Sequence, residues 1–229
     1  MNSDSNVIKS FGYEWEKYNQ SSLLKDELAK TFEEYFHIFP QHLLNKESIG
    51  FDMGSGSGRW AYFVSEKVKR LTVIEPSKRA LNASKELLKD RNNISFLNAT
   101  VSESVNKLQE KKFDFGYSLG VLHHVPNTLE ALRCCNKLLK PGAPFLLYLY
   151  YDFENRNFLF KSLWSITVPI RSIISIMPQK FKYLFSELLA LIVYLPIQAT
   201  LRLLKRLGFN IEGLPLSNYV NKSFKTLRT

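Results

Sequence analysis

Between residues 48 and 151, five short apolar runs alternate with amphipathic stretches, and that rhythm restricts the chain more than any other feature. The apolar runs are 48–54, 70–76, 94–99, 113–120 and 144–151. The stretches 59–68, 77–90, 101–110 and 128–139 carry apolar residues at helical spacing, and Pro141-Gly142 stops the last of them. Parallel strands need a crossover long enough to hold a helix, so this spacing predicts an α/β fold, a parallel sheet with helices on both faces. Ligands of such sheets sit beyond the carboxyl ends of the strands.

The flanks obey different rules. Residues 1–47 are expected to hold an N-terminal cap helix over 21–39, with Leu24, Leu28, Phe32 and Phe36 on one stripe and a serine start. From 152 to 208 the alternation stops and the chain becomes apolar and basic, which predicts a helical insertion after the fifth strand. Eight Lys/Arg and one acid, Glu187, lie between Arg156 and Arg206. The apolar run from Leu188 to Ile197 is too short to span a bilayer, bounded by Glu187 and interrupted by Pro196. Two readings follow: a buried helical insertion, or a lid or pair of helices facing a membrane. Residues 209–229 read as the C-terminal part of the sheet, with "SFKTLRT" as a short last strand or the edge left incomplete.

Composition closes several classes. A hydrophobic fraction of 45% supports a packed core and excludes global disorder. The polar start "MNSDSNVIKSF" does not read as a signal peptide. Cys134 and Cys135 are the only cysteines; two adjacent thiols make neither a zinc site alone nor a favourable bridge, so no metal is expected and a reduced, cytoplasmic setting is. The net charge of +10 suits nucleic acid, an anionic membrane or an anionic substrate.

The first apolar run ends in "FDMGSGSGRW", with glycines at 54, 56 and 58 behind Asp52. The G-x-G-x-G spacing misses the third glycine of the dinucleotide fingerprint, and no Gly-Lys-Ser/Thr follows to make a P-loop. Asp52 beside the loop repels a phosphate and favours an ammonium or sulfonium group. Glu75, at the end of the second strand, can accept both hydroxyls of a ribose. The loop suits a ribose-bearing cation.

These features, in order, resemble the Rossmann-like class I S-adenosylmethionine-dependent methyltransferases, closest to the type 11 or type 12 families. Asp52 to Gly58, Glu75, Phe113-Asp114, "VLHHV" at 121–125 and the helix ending at Leu139 to Gly142 carry the resemblance. It implies S-adenosylmethionine as cofactor and S-adenosylhomocysteine as product. Gly54, Ser55, Gly56 and Gly58 would pass beneath the methionine part, with Asp52 near its amino group. Glu75 would hold the ribose. Asn98 and Ala99 would flank the adenine, where the family often has an aspartate, and Ser118, Leu119 and Gly120 would line the methyl-bearing end. The aromatic segment "SFGYEWEKYNQ" resembles N-terminal segments that close over the cofactor; the competing reading makes Trp15 an anchor of the first helix.

Methyl transfer needs mainly proximity and orientation, but a hydroxyl acceptor gains from a base. His123 and His124 lie on the acceptor side, either as that base or as packing for the loop. The stretch "SLGVLHH" lacks the Asn/Asp-Pro-Pro-Tyr pattern of enzymes that methylate DNA or amide nitrogen, which argues against DNA. The sequence therefore predicts O-methylation of a small-molecule, sugar or lipid-linked acceptor. It places the protein in the cytoplasm, with peripheral contact to an anionic inner-membrane surface through 156–206. The competing class is a cofactor-binding or membrane-docking module without turnover.

Overall fold

The computed structural model describes residues 4–17, 25–108, 112–150, 158–211, 214, 216, 217 and 220. The chain divides into two compact units, Met1–Tyr150 and Tyr151–Thr229. The first opens with two helices, α1 (Ser5–Lys17) and α2 (Lys25–Phe36), and then alternates: β1 (Ile49–Met53), α3 (Arg59–Lys67), β2 (Arg70–Ile74), α4 (Lys78–Leu87), β3 (Ile94–Leu97), α5 (Val101–Lys107), β4 (Phe115–Leu119), α6 (Thr128–Leu138) and β5 (Phe145–Tyr148). The five strands are parallel in the order β3-β2-β1-β4-β5. The connection direction reverses between β1 and β4, so their carboxyl ends open a crevice at the switch point.

Two apolar layers fill the faces of this sheet. One joins Phe32 and Phe36 of α2, Trp60 and Val64 of α3 and Leu81 of α4 to Leu71, Val73, Phe115 and Tyr117. The other joins Val101 of α5 and Ala131, Cys135 and Leu138 of α6 to Phe51, Met53 and Ile74. Successive strand residues point to opposite faces, so Val73 and Ile74 enter different layers. Both cysteines are free thiols in the second layer, and burial pushes Cys135 up to about 12, which keeps it inert.

Helix starts follow side-chain chemistry. Ser77 caps α4 by accepting from the Ala80 N–H, and Thr100 with Glu103 forms a reciprocal capping box on α5. Asp114 of the Phe113-Asp114 pair accepts from the Ile49 N–H at 2.8 Å and pairs with Lys140, so that motif clamps the start of β4 to β1.

The flanks depart from expectation. The N-terminal region holds two helices rather than one, and the serine start proposed for 21–39 lies outside the described residues. In the second unit, α7 (Phe158–Ile176) is followed by α8 (Gln179–Leu189), a π-helical turn (Ala190–Tyr194) and α9 (Leu195–Arg206). Pro196 does not break the run. It occupies the first turn of α9, where a missing N–H is tolerated, and helical structure continues from 179 to 206. In this second unit Phe158, Ile173, Ile176, Leu191, Ile192 and Leu203 are exposed, whereas Ala190, Gln198 and Leu201 are buried. No strand follows Tyr148 among the described residues, and "SFKTLRT" lies outside them.

At the β1–β4 junction, Gly50 pairs with Phe115 and Phe51 with Gly116. A Cβ at Gly50 would stand 2.1 Å from the Phe115 ring, and one at Gly116 would stand 2.4 Å from the Phe51 ring. Each aromatic ring thus covers the glycine of its neighbour, one on each face. Gly116→Val is expected to destabilise the fold by about 1–3 kcal/mol through overpacking. Urea unfolding checks this, and an unchanged midpoint would refute the reciprocal packing.

Candidate active site

The glycine loop that links β1 to α3 takes the backbone three times into the left-handed region, with φ of 76°, 57° and 82° at Gly54, Gly56 and Gly58. Only glycine adopts these angles without strain, and each also admits a neighbour: Val121 against Gly54, Trp15 against Gly56 and Ser84 against Gly58. The loop is anchored to β2. The Gly54 N–H donates to the Ile74 carbonyl, and the Gly56 N–H donates to Glu75 Oε2 at 3.0 Å.

Glu75 is buried at the end of β2, where its other oxygen accepts from the Ser77 N–H at 2.9 Å. Each carboxylate oxygen keeps a second lone pair for a ligand hydroxyl. Burial raises Glu75 to about 7 against these two hydrogen bonds. Asp52, on β1, is deeper still. Burial lifts it to about 8; the Tyr117 hydroxyl opposes the rise, Glu75 adds to it and Arg59 opposes it.

Three buried polar atoms around this loop, Asp52 Oδ2, Ser55 Oγ and Ser57 Oγ, have no hydrogen-bond partner among the described residues, while the Tyr117 hydroxyl acts on the Asp52 carboxyl from β4. Buried polar groups are almost always paired, so such a group at a crevice fits a polar ligand with donors for Asp52. The residues fit an adenosyl cation on this observation.

Other expected residues take different parts. Asn98 donates its amide to the Glu75 and Pro76 carbonyls at 2.8 and 2.9 Å, which fixes the β2 turn and leaves Oδ1 as the acceptor. Ala99 beside it is buried and apolar. The Ser118 hydroxyl donates to the Met53 carbonyl at 2.8 Å, so its side chain ties β4 to β1. Leu119 ends β4, and Gly120, with φ of 75°, turns the chain beside Tyr150.

His123 and His124 occupy a single 3₁₀ turn, Leu122–His124, directly beyond β4. Their rings lie 4.0 Å apart; His123 also meets Tyr150 at 4.2 Å, and His124 meets Phe11 of α1 at 4.8 Å. Both nitrogens of His123 are buried without a partner, and burial lowers its pKa, which favours the neutral base.

Arg59 and Tyr117 were not legible as site residues, and Trp15 was legible only through its aromatic segment. Trp15 reaches Gly56 from α1, and Tyr117 reaches Asp52 across the sheet. Arg59 follows the loop in sequence, but its stacking on Trp15 and Trp60 is tertiary.

Asp52 and Glu75 have folded values above their ordinary ones, so the folded chain retains protons that the unfolded chain releases. The stability they contribute is complete below about pH 4 and is lost as pH rises through about 7 for Glu75 and about 8 for Asp52. In thermal melts from pH 5 to pH 9, Asp52→Asn is expected to gain on the wild type with rising pH and to level off above pH 8. A pH-independent difference would contradict the buried acid.

Residues 51–147 match the family model described as "Methyltransferase domain", type 11. The ubiquinone biosynthesis O-methyltransferase of Nitrosospira multiformis is 25% identical over 158 residues, covering 63% of this chain and 62% of that protein. The enzyme of the same name from Alkalilimnicola ehrlichii is 30% identical over 107 residues, 46% of this chain and 41% of the relative. The chain thus spans less than two thirds of the curated relatives it matches. Among solved structures, a DhpI complex with S-adenosylhomocysteine superposes with a TM-score of 0.52 at 14% identity, over 64% of this chain and 69% of that one, a likeness of fold. Over residues 51–147 the chain thus matches the type 11 methyltransferase family, and its five-stranded parallel sheet has the Rossmann-like fold of class I S-adenosylmethionine-dependent methyltransferases.

Proposed function

We propose that the chain is an S-adenosylmethionine-dependent O-methyltransferase for a hydroxyl on a small-molecule, sugar or lipid-linked acceptor, working at the cytoplasmic face of an anionic membrane. The observation that carries the cofactor part is the group of unpartnered buried atoms on the glycine loop, above all Asp52 Oδ2. Bound there, the sulfonium cofactor supplies an electrophilic methyl group. Asp52 would take the ammonium of its methionine part, Glu75 the ribose hydroxyls, and Asn98 Oδ1 with Ala99 the adenine edge. Gly54, Ser55, Gly56 and Gly58 would pass beneath the methionine part, while Leu119 and Gly120 would line the methyl-bearing end.

His123 is the better of the two histidines as base. Its unpartnered nitrogens lie in a ring cluster with His124 and Tyr150, and a neutral imidazole can accept the proton that the acceptor hydroxyl loses. The O-methyltransferase names of the curated relatives support oxygen as the acceptor atom.

The membrane part rests on the second unit. Glu187–Arg206 is, by length and composition, the one helical stretch among the described residues apolar enough to cross a bilayer. It carries Arg202, Lys205 and Arg206 exposed at its end, beside exposed Leu203 and Leu207. An apolar surface rimmed by cations suits the interface of an anionic bilayer.

Calorimetric titration tests the cofactor reading. S-adenosylhomocysteine is expected to bind, and Glu75→Ala to weaken it at least about tenfold. His123→Ala should leave the affinity within about twofold, since a base for the acceptor adds little to product binding. Wild-type affinity should rise as pH approaches about 8, where Asp52 ionises, and that rise should vanish in Asp52→Asn. A folded wild type that binds nothing would leave a docking module without turnover. For the membrane reading, the protein should sediment with phosphatidylglycerol vesicles and not with neutral ones, and Lys205→Glu/Arg206→Glu should weaken this by about tenfold or more. Equal partition of both proteins onto both vesicles would sink it.

A further inference from the structure

Arg59 opens α3 directly after the glycine loop. Its guanidinium lies 4.4 Å from the centre of the Trp60 ring and 5.1 Å from that of Trp15, so two tryptophans from different helices hold it. Among the described residues it has no ion pair within 4.0 Å and no hydrogen bond. Its five N–H donors are therefore held in a half-buried place with no oxygen to receive them among the described residues. The groups that act on it electrostatically are Tyr35, Tyr150, Asp52 and Glu14. Asp52 belongs to the proposed cofactor side, and Tyr150 packs against His123 on the proposed acceptor side. Burial lowers the Arg59 pKa, which is the cost of keeping this charge without a partner.

Glu14 also attracts Arg59, but it makes no ion pair with it within 4.0 Å among the described residues; burial raises the Glu14 pKa, against the attraction of Arg59. A stacked guanidinium presents its planar fork edge-on, and that edge matches a carboxylate or phosphate with two parallel hydrogen bonds. Lysine could not stack or present a fork in this way.

We propose that Arg59, held between Trp15 and Trp60, is the receptor for an oxyanion, carboxylate or phosphate, on a ligand of this site. The oxyanion has two possible sources: the carboxylate of the cofactor's methionine part, or an anionic group on the acceptor. Assigning it to either ligand rests on the methyltransferase reading above; the anion site itself does not.

Two of the three tryptophans in the chain flank Arg59, which makes intrinsic fluorescence a direct reporter. Inorganic phosphate, titrated at constant ionic strength against chloride, is expected to change the wild-type emission along a saturable curve. Arg59→Gln should abolish that curve. Arg59→Lys keeps the charge without the fork and should weaken it about tenfold, which keeps the test usable if the glutamine variant does not fold.

Titration of S-adenosylhomocysteine and its decarboxylated analogue then separates the sources. If Arg59→Gln weakens the first and not the second, the oxyanion is the cofactor's carboxylate. If S-adenosylhomocysteine binds both proteins equally while phosphate distinguishes them, the oxyanion belongs to the acceptor. If S-adenosylhomocysteine binds neither while phosphate distinguishes them, the anion site stands and the cofactor reading falls. If neither phosphate nor S-adenosylhomocysteine distinguishes wild type from folded variants, Arg59 is only a packing residue and the proposal is overturned.

Discussion

The pairing of β1 with β4 is the contact on which the site depends. Gly50 and Gly116 leave room for Phe115 and Phe51 to lie flat across the neighbouring strand, while Ser118 and Asp114 bond the two strands near both ends of the contact. The direction of the chain reverses at this pair, so the loops after β1 and β4 diverge and leave a crevice. Asp52 and Tyr117 face each other across the same pair, and the glycine loop and the histidine turn rise from its two strands. A shift at this junction would move both halves of the site together.

The acids at the crevice are held against their own solvation. Asp52 and Glu75 are raised to about 8 and about 7 by burial, and Asp52 Oδ2 and two serine hydroxyls lack partners. A protein selected for stability alone would carry asparagine or an apolar residue at 52. Preorganised polar atoms of this kind are costly without ligand and favourable with one, which is the usual relation between a binding site and the stability of its scaffold. Arg59 follows the same rule with opposite charge, stacked on indoles rather than paired with an acid.

Much of this was legible in the sequence because it depends on local order. The strands and helices of the core follow from periodicity, the loop from three glycines whose left-handed angles other residues resist, and the α4 start from Ser77. What long-range packing decided was not legible. Ser118 and Asn98 are polar residues at the expected places, yet backbone carbonyls of neighbouring segments take their donors. Pro196 reads as a breaker in a linear string but falls at a helical first turn after a π-helical turn, where its missing N–H does no harm.

The sequence by itself determined the order of elements, the glycine loop and the identity of the two acids, because backbone propensity, periodicity and charge act over a few residues. Only the tertiary structure decided which atoms remain without partners. Trp15 lies forty-one positions before Gly56 yet presses on it, and Tyr117 reaches Asp52 from a strand sixty-five positions on. Desolvation and unmet hydrogen bonds are properties of an enclosed volume rather than of a segment, so the charge states of Asp52, Glu75 and Arg59 appear only once the layers close around them.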